Sequence, residues 1–176
     1  STLNNLSYRN ATQWVNVTRN TMTQFKATTG QTTNLGVSTN LYYKLATSTI
    51  TTVGDTDFIT NGENYSSFKF QSANTNNKKV KISVNCSYFI DGASQKLNFS
   101  IVRNGGFTTD LLTSGTPIDI ISVTSNSTSG EFNHVYNLVL SDVVLNDVFT
   151  LVVSDSTSAS KTITINNLTM IAEMNF

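Results

Sequence analysis

The sequence predicts an all-β domain, an antiparallel sandwich of two sheets. Three observations point there. Apolar and polar residues alternate with a period of two through several runs, the pattern of a half-buried strand. Turn residues punctuate those runs at intervals of roughly 8–12 residues, the spacing of sandwiches and barrels. No stretch has the Ala/Glu/Lys/Leu background of a helix, while β-branched residues abound.

The clearest strand covers residues 80–90. Val80, Ile82, Val84, Cys86, Tyr88 and Ile90 occupy every second place, separated by Lys81, Ser83, Asn85, Ser87 and Phe89. Asp91-Gly92 follows and supplies turn chemistry. Leu97, Phe99 and Ile101 then alternate with Asn98 and Ser100, and the run ends in the turn Arg103-Asn104-Gly105-Gly106. These two runs are expected as a hairpin or as near neighbours.

Later strands are expected at 118–123, 135–140, 148–153 and 162–165. The run 148–153 is mostly apolar, which marks a central strand or one buried on both faces. Val144, Leu145, Val148 and Phe149 also fit helical spacing, but their β-branched neighbours favour strands. Leu168, Met170, Ala172, Met174 and Phe176 alternate to the last residue, so a natural end tied into a sheet is expected. Pro117 stands at the start of a strand, where it removes no ladder bond.

The first half is less regular. Short strands are expected at 14–19, 22–27, 41–45 and 65–71, with a Thr/Gly/Asn loop at 28–40. A Ser-rich connection is expected at 154–160. No acid precedes Asp55, whereas Arg9, Arg19, Lys26 and Lys44 do. Residues 1–46 are therefore set apart from a head at 47–176, as a separate module, a stalk junction or an N-terminal strand wrapping the core.

A chain of 176 residues is one domain, or one domain with a short leader, large enough to bury a core without staples. Charged residues make up 12%, against a usual share of about 25%. Eleven cations balance eleven acids, which excludes a basic nucleic-acid footprint and an acidic tail. Thr, Asn and Ser together supply 71 of the 176 residues, so the surface is wetted by hydroxyls and amides. Extracellular, viral and adhesive β proteins share this style.

Cys86 is the single cysteine, so no intrachain disulfide forms, and its place in an apolar set predicts a buried thiol. No run approaches the ~18 apolar residues of a spanning helix, and no membrane insertion is expected. The chain opens STLNNLSYRN, with no signal-peptide pattern, and is expected to be a fragment or processed product with a stalk or capsid protein before residue 1. Eight N-x-S/T triplets occur, at Asn5, Asn10, Asn16, Asn64, Asn85, Asn98, Asn126 and Asn167. This composition yields about six by chance, and Asn85 and Asn98 fall inside expected strands, so they are no glycoprotein signature.

Catalytic chemistry is hard to assemble. His134 is the one imidazole, read as a loop histidine at a strand edge, and no G-x-S-x-G elbow accompanies it. One His and one Cys fall short of a zinc site. Asp55, Asp57 and Glu63 lack the EF-hand spacing and read as a solvated turn. There is no Gly-rich phosphate loop, and no pair of carboxylates stands out. Lys78, Lys79 and Lys81 form the one charge cluster, either a gatekeeper against aggregation or a contact for an acidic glycan. Trp14 reads as a core or interface residue, or as a sugar platform if exposed. No enzyme, cofactor or metal is expected.

Residues 47–176 resemble the jelly-roll head of the tumour necrosis factor and C1q superfamily, by the order of their features. Phe68-Lys69-Phe70 is similar to the strand that opens the family's inner sheet. KKVKISVNCSYFIDG looks like the long central strand, and KLNFSIVRNGG like the strand that ends in a K/R-N-G turn. HVYNLVLSDVVLNDVFTLVVS looks like the strand pair joined by an L-x-x-G-D turn, with Asn146-Asp147 where Gly-Asp is usual. Asn tolerates the left-handed backbone that Gly supplies, so this departure is mild. In style the sequence is closest to heads on phage and virus fibres and spikes.

The resemblance implies a TNF/C1q-like jelly roll that forms a homotrimer about a threefold axis. It places Tyr136 and Phe149 near that axis, with Tyr88 and Phe176 behind them, although all four also suit the core of one chain. Heads of this kind sit on the virion surface at the tip of a stalk and bind a host cell-surface receptor or glycan. Trimeric presentation makes weak sites useful. Two alternatives stay open: a capsid spike or decoration domain without receptor binding, and a bacterial cell-surface adhesin or carbohydrate-binding module.

Overall fold

The computed structural model describes residues 7–9, 14–16, 20–27, 31–36, 39–46, 50–54, 59–61, 66–70, 79–92, 94–125, 128–138, 144–157 and 161–175. Among these residues every regular element is a strand. In chain order they begin with β1 (Ser7–Arg9), β2 (Trp14–Asn16), β3 (Asn20–Ala27), β4 (Gln31–Asn34) and β5 (Tyr43–Lys44). Then come β6 (Ile50–Gly54), β7 (Ile59–Asn61), β8 (Ser67–Phe70), β9 (Lys79–Ile90) and β10 (Lys96–Arg103). The rest are β11 (Gly106–Thr108), β12 (Leu111–Ser114), β13 (Pro117–Thr124), β14 (Ser129–Leu138), β15 (Val148–Asp155) and β16 (Thr162–Asn175).

Two antiparallel sheets hold nearly all of them. The six-stranded sheet runs β14-β9-β16-β3-β6, with β4 beside the first part of β16. The eight-stranded sheet runs β11-β12-β5-β15-β10-β13, with β8 also on β15 and β7 on β8. β1 and β2 form a separate ribbon. From β8 onward the chain crosses repeatedly between sheets: β9, β14 and β16 lie in one, and β8, β10, β13 and β15 in the other. This winding makes the domain an antiparallel jelly-roll sandwich.

The core lies between the sheets because alternation puts one apolar row of each strand inward. Val80, Ile82, Val84, Cys86, Tyr88 and Ile90 of β9 face Leu97, Phe99 and Ile101 of β10 and Phe149, Leu151 and Val153 of β15 across one cluster. Aromatic contacts bridge the sheets. Phe99 stacks on Phe132 with centroids 4.2 Å apart, and Phe25 meets Phe68 at 4.8 Å. Each buried ring contributes about 2 kcal/mol through area removed from water.

Several expectations change in detail. The runs at 162–165 and from 168 onward are one strand. A register shift between Ile165 and Asn167 inserts an extra residue, so the inward row passes from Ile163 and Ile165 to Leu168, Met170 and Ala172. The expected loop at 28–40 contains β4, and β1, β6, β7, β11 and β12 were not expected. Residues 144–149 form a turn at Leu145 and Asn146 followed by β15, with no helix. Asn146 has φ 73°, as its place in the turn requires.

Residues 20–46, expected as part of a leading segment, supply β3, β4 and β5 to the two sheets. Phe25, Ala27, Leu35, Tyr43 and Leu45 lie in the same core cluster as the later strands.

Candidate functional site: an uncovered sheet face and a polar pocket

Tyr88, Tyr136 and Phe149 lie inside the sandwich of a single chain, each no more than 1% exposed. Their own chain covers all three side chains. Burial raises both phenols above their ordinary range. Neither hydroxyl has a hydrogen-bond partner among the described residues. Phe176 lies outside the described residues, as do Asp55, Asp57, Glu63 and Lys78. The strands of Trp14 and Lys79 are described, but not their side chains.

His134 sits in β14, not in a loop, with its ring on the inward side between Phe132 and Tyr136. Cys86 is fully buried, and burial pushes its thiol up to about 12 despite an opposing backbone hydrogen bond from Phe132. Among the described residues no group of three or more His, Cys, Asp or Glu side chains could hold a metal ion. Lys81 pairs with Glu173 at 2.9 Å on the exposed side of the six-stranded sheet.

That exposed side is the first candidate surface. Its register aligns Val135, Ser83, Ile171, Gln24 and Val53 in one row across five strands. The row carries no charge. Val53 and Val135 are 59% and 37% exposed, and Phe89 and Met22 on the same face are 44% and 50% exposed. The neighbouring row holds Lys81 and Glu173, which neutralise each other. Period-two alternation explains this face: the same strands that bury one row must present the other.

The second candidate is a pocket on the outward side of the eight-stranded sheet. Two short strands share one edge of β15: β8 pairs with its residues 148–150, and β5 with Val152 and Val153. Ser66 bridges the gap between them. Its hydroxyl lies 3.3 Å from the carbonyls of both Leu45 and Leu151, and its own carbonyl accepts from Leu151 N–H at 2.8 Å.

The 104–116 excursion leaves β10 on one side of β15 and pairs with β5 on the other, so it crosses over β15. Gly105 allows the close approach: a Cβ there would come within 2.8 Å of Leu112 and 3.0 Å of Val102. Between this excursion and the sheet lies a partly open pocket of about 340 Å3. Lys44, Ser67 and Thr150 supply its polar wall, with Asn104 at the rim and Phe107 and Val148 as apolar surface. Lys44 is only 9% exposed, and its Nζ sits 5.2 Å from the centre of the Phe107 ring.

Asp147 fixes the rim. Its carboxylate accepts from Arg103 Nη2 at 2.7 Å, Asn104 Nδ2 at 2.7 Å and Val144 N–H at 2.8 Å. Asn104 Oδ1 in turn accepts from Val148 N–H at 2.8 Å. Burial alone would raise the Asp147 carboxyl. The three hydrogen bonds and the Arg103 charge outweigh it and hold the group below its ordinary 3.8.

Sequence reasoning missed this pocket. Lys44 counted only toward the charge of the first segment, and Ser67 and Thr150 are two hydroxyls among many. Phe107 next to the Asn104-Gly105-Gly106 turn was the one available signal, an aromatic side chain at a loop tip.

No family model and no curated protein sequence matches the chain. Among solved structures, the chain is similar to PRD1 vertex protein P5, with 11% identity and a TM-score of 0.43 over 89% of this chain and 96% of that one. It is also similar to a chain in a structure of infectious bursal disease virus, Gx strain, with 11% identity and a TM-score of 0.37 over 93% of this chain. That match spans 39% of the viral chain, and both likenesses concern the fold.

Proposed function

We propose that the chain is a non-enzymatic head domain of a virus or phage, displayed on the virion surface as a homotrimer and attached to a host receptor. The observation that carries this reading is the uncovered face of the six-stranded sheet, whose central row carries no charge. A row of Val135, Ile171 and Val53 spaced by Ser83 and Gln24 suits contact with further copies of the same chain. It has no charge to desolvate, and the adjoining Lys81–Glu173 pair adds no net repulsion between copies.

The repeated crossing of the chain between two antiparallel sheets supports the jelly-roll part of this reading. The final strand lies between β9 and β3, while the strand of Phe68 and Phe70, likened to the one that opens the inner sheet, lies in the other sheet. The two motif turns, Arg103-Asn104-Gly105 and Leu145-Asn146-Asp147, meet through Asp147. The hydroxyl- and amide-rich composition favours holding and binding over turnover.

Light scattering tests the reading. The expected mass is three times the 19.2 kDa of one chain. Val135→Asp combined with Val53→Asp is expected to return a folded monomer. A wild-type mass of one chain counts against the trimeric head and favours a bacterial adhesin or binding module.

A further inference from the structure

We propose that Asn104 is a guarded deamidation site: the native turn holds off its loss of ammonia, and the carboxylate that forms unlocks the two turns joined at Asp147. The inference stands apart from the attachment reading. It starts from an Asn-Gly pair set against a buried carboxylate at the end of a ladder.

Asn-Gly is open to this reaction because glycine puts no side chain beside its own nitrogen. The Gly105 nitrogen attacks Cγ of Asn104. A C–N bond forms, the Cγ–Nδ2 bond breaks, and ammonia leaves with the Gly105 amide proton. Water then opens the cyclic imide and leaves aspartate or isoaspartate at position 104. Nothing is oxidised or reduced.

The fold has a use for both residues. A Cβ at position 105 would come within 2.8 Å of Leu112 and 3.0 Å of Val102. Asn104 has φ 50°, a backbone that Asn adopts more readily than most residues. Its side chain also extends a ladder. Arg103 and Phe149 are the last pair of β10 and β15. At the next step Asn104 N–H donates to the Val148 carbonyl at 2.8 Å. Val148 N–H donates in return at 2.8 Å to Asn104 Oδ1, a side-chain oxygen where a main-chain carbonyl would stand. The chain therefore carries a labile pair for structural reasons.

The same contacts restrain the reaction. Asn104 Nδ2 donates to Asp147 Oδ1 at 2.7 Å, and Val148 N–H holds the other end of the amide. Attack by the Gly105 nitrogen rotates the amide out of both bonds. The bond to Asp147 is charge-assisted, the stronger kind. Asp147 is itself fixed by Arg103 and by Val144 N–H. Asn104 is exposed, so water reaches the imide once it has formed.

The product turns attraction into repulsion. A carboxylate at position 104 cannot donate, and it faces the Asp147 carboxylate. Isoaspartate also lengthens the main chain within the turn. Either product loosens the link between the end of β10 and the start of β15.

The test follows the intact chain by peptide mapping and mass spectrometry at mildly alkaline pH, natively and in urea. A second Asn-Gly pair, Asn61-Gly62, is the reference in urea, where both sites are expected to react at similar rates. Natively, Asn104 is expected to react at least about tenfold more slowly than in urea, the factor one charge-assisted hydrogen bond supplies. Asp147→Ala is expected to raise the native rate at Asn104 about tenfold, with folding checked by circular dichroism. Asp147→Asn keeps the shape without the charge and is expected to raise it severalfold. Asn104→Asp makes one product directly and is expected to melt below the wild type.

A native rate at Asn104 equal to that in urea overturns the proposal, and this comparison needs no variant. So does an unchanged rate in a folded Asp147→Ala or Asp147→Asn chain. An Asn104→Asp chain that melts with the wild type overturns the unlocking by the product.

Discussion

Arg103 Nη2 stands 2.7 Å from Asp147 Oδ2, and through this pair the end of β10 is locked to the start of β15. Asp147 is 2% exposed and also holds Asn104 and Val144 N–H. One carboxylate therefore organises two turns that are over forty residues apart in the chain. Removing it leaves Arg103 facing a buried gap. Asp147→Ala is expected to cost about 3 kcal/mol, read by urea denaturation. A loss under about 0.5 kcal/mol would mean the turns hold without it.

The same carboxyl gives the stability a pH dependence. Its folded value lies below the ordinary 3.8, so the unfolded chain takes up the proton first as pH falls. Its contribution is complete above about pH 4 and is lost as pH drops through the folded value. Asp147→Asn removes this titration. The difference in unfolding free energy between wild type and variant should therefore shrink below pH 4, and a constant difference would exclude Asp147 as the source.

Tyr88 and Tyr136 bury hydroxyls that lack partners among the described residues. A hydroxyl desolvated without a hydrogen bond costs about 1–3 kcal/mol. Tyr88→Phe and Tyr136→Phe are each expected to leave stability unchanged or to raise it by about 1 kcal/mol. A drop of that size in thermal unfolding would point to a hidden partner for the hydroxyl.

Cys86 is enclosed between the sheets, and burial pushes its thiol up to about 12. It should be inert to a thiol-reactive dye in the native state at neutral pH and react fully in denaturant. Its labelling rate would then report the opening of the sandwich. Rapid labelling of the native chain would place the thiol at the surface.

Phe99 and Lys81 make a contrast in magnitude. Phe99 is fully buried and stacked on Phe132 across the sandwich, so Phe99→Ala is expected to cost about 3–5 kcal/mol. Lys81 pairs with Glu173 in solvent, so Lys81→Ala is expected to cost less than about 1 kcal/mol. Equilibrium denaturation of the two variants side by side checks both, and comparable losses would contradict the layout of the core.

The strands most legible in the sequence were those with one dry face and one wet face. β9, β10 and β13 fall where alternation and the adjoining turns put them. β14 was legible in part, since its start at Ser129 precedes the expected one and residues 139–140 lie outside the described set. β4, β6 and β7 were not legible, because Thr-rich runs such as Thr32-Thr33 and Thr51-Thr52 carry little apolar contrast. The bulge in β16 hid for a related reason: one extra residue resets the period, and two phases read as two strands.

By itself the sequence determined the all-β class, the inward rows of the central strands and the buried Cys86. Each of these follows from local alternation or backbone preference, which act over a few residues. Only the tertiary structure decided that β5 and β8 share one edge of β15, that the 104–116 excursion crosses above them, and that Lys44, Ser67, Phe107 and Thr150 line one pocket. Those relations depend on pairing across tens of residues, where period-two alternation fixes which way a side chain points but not which strand lies beside it.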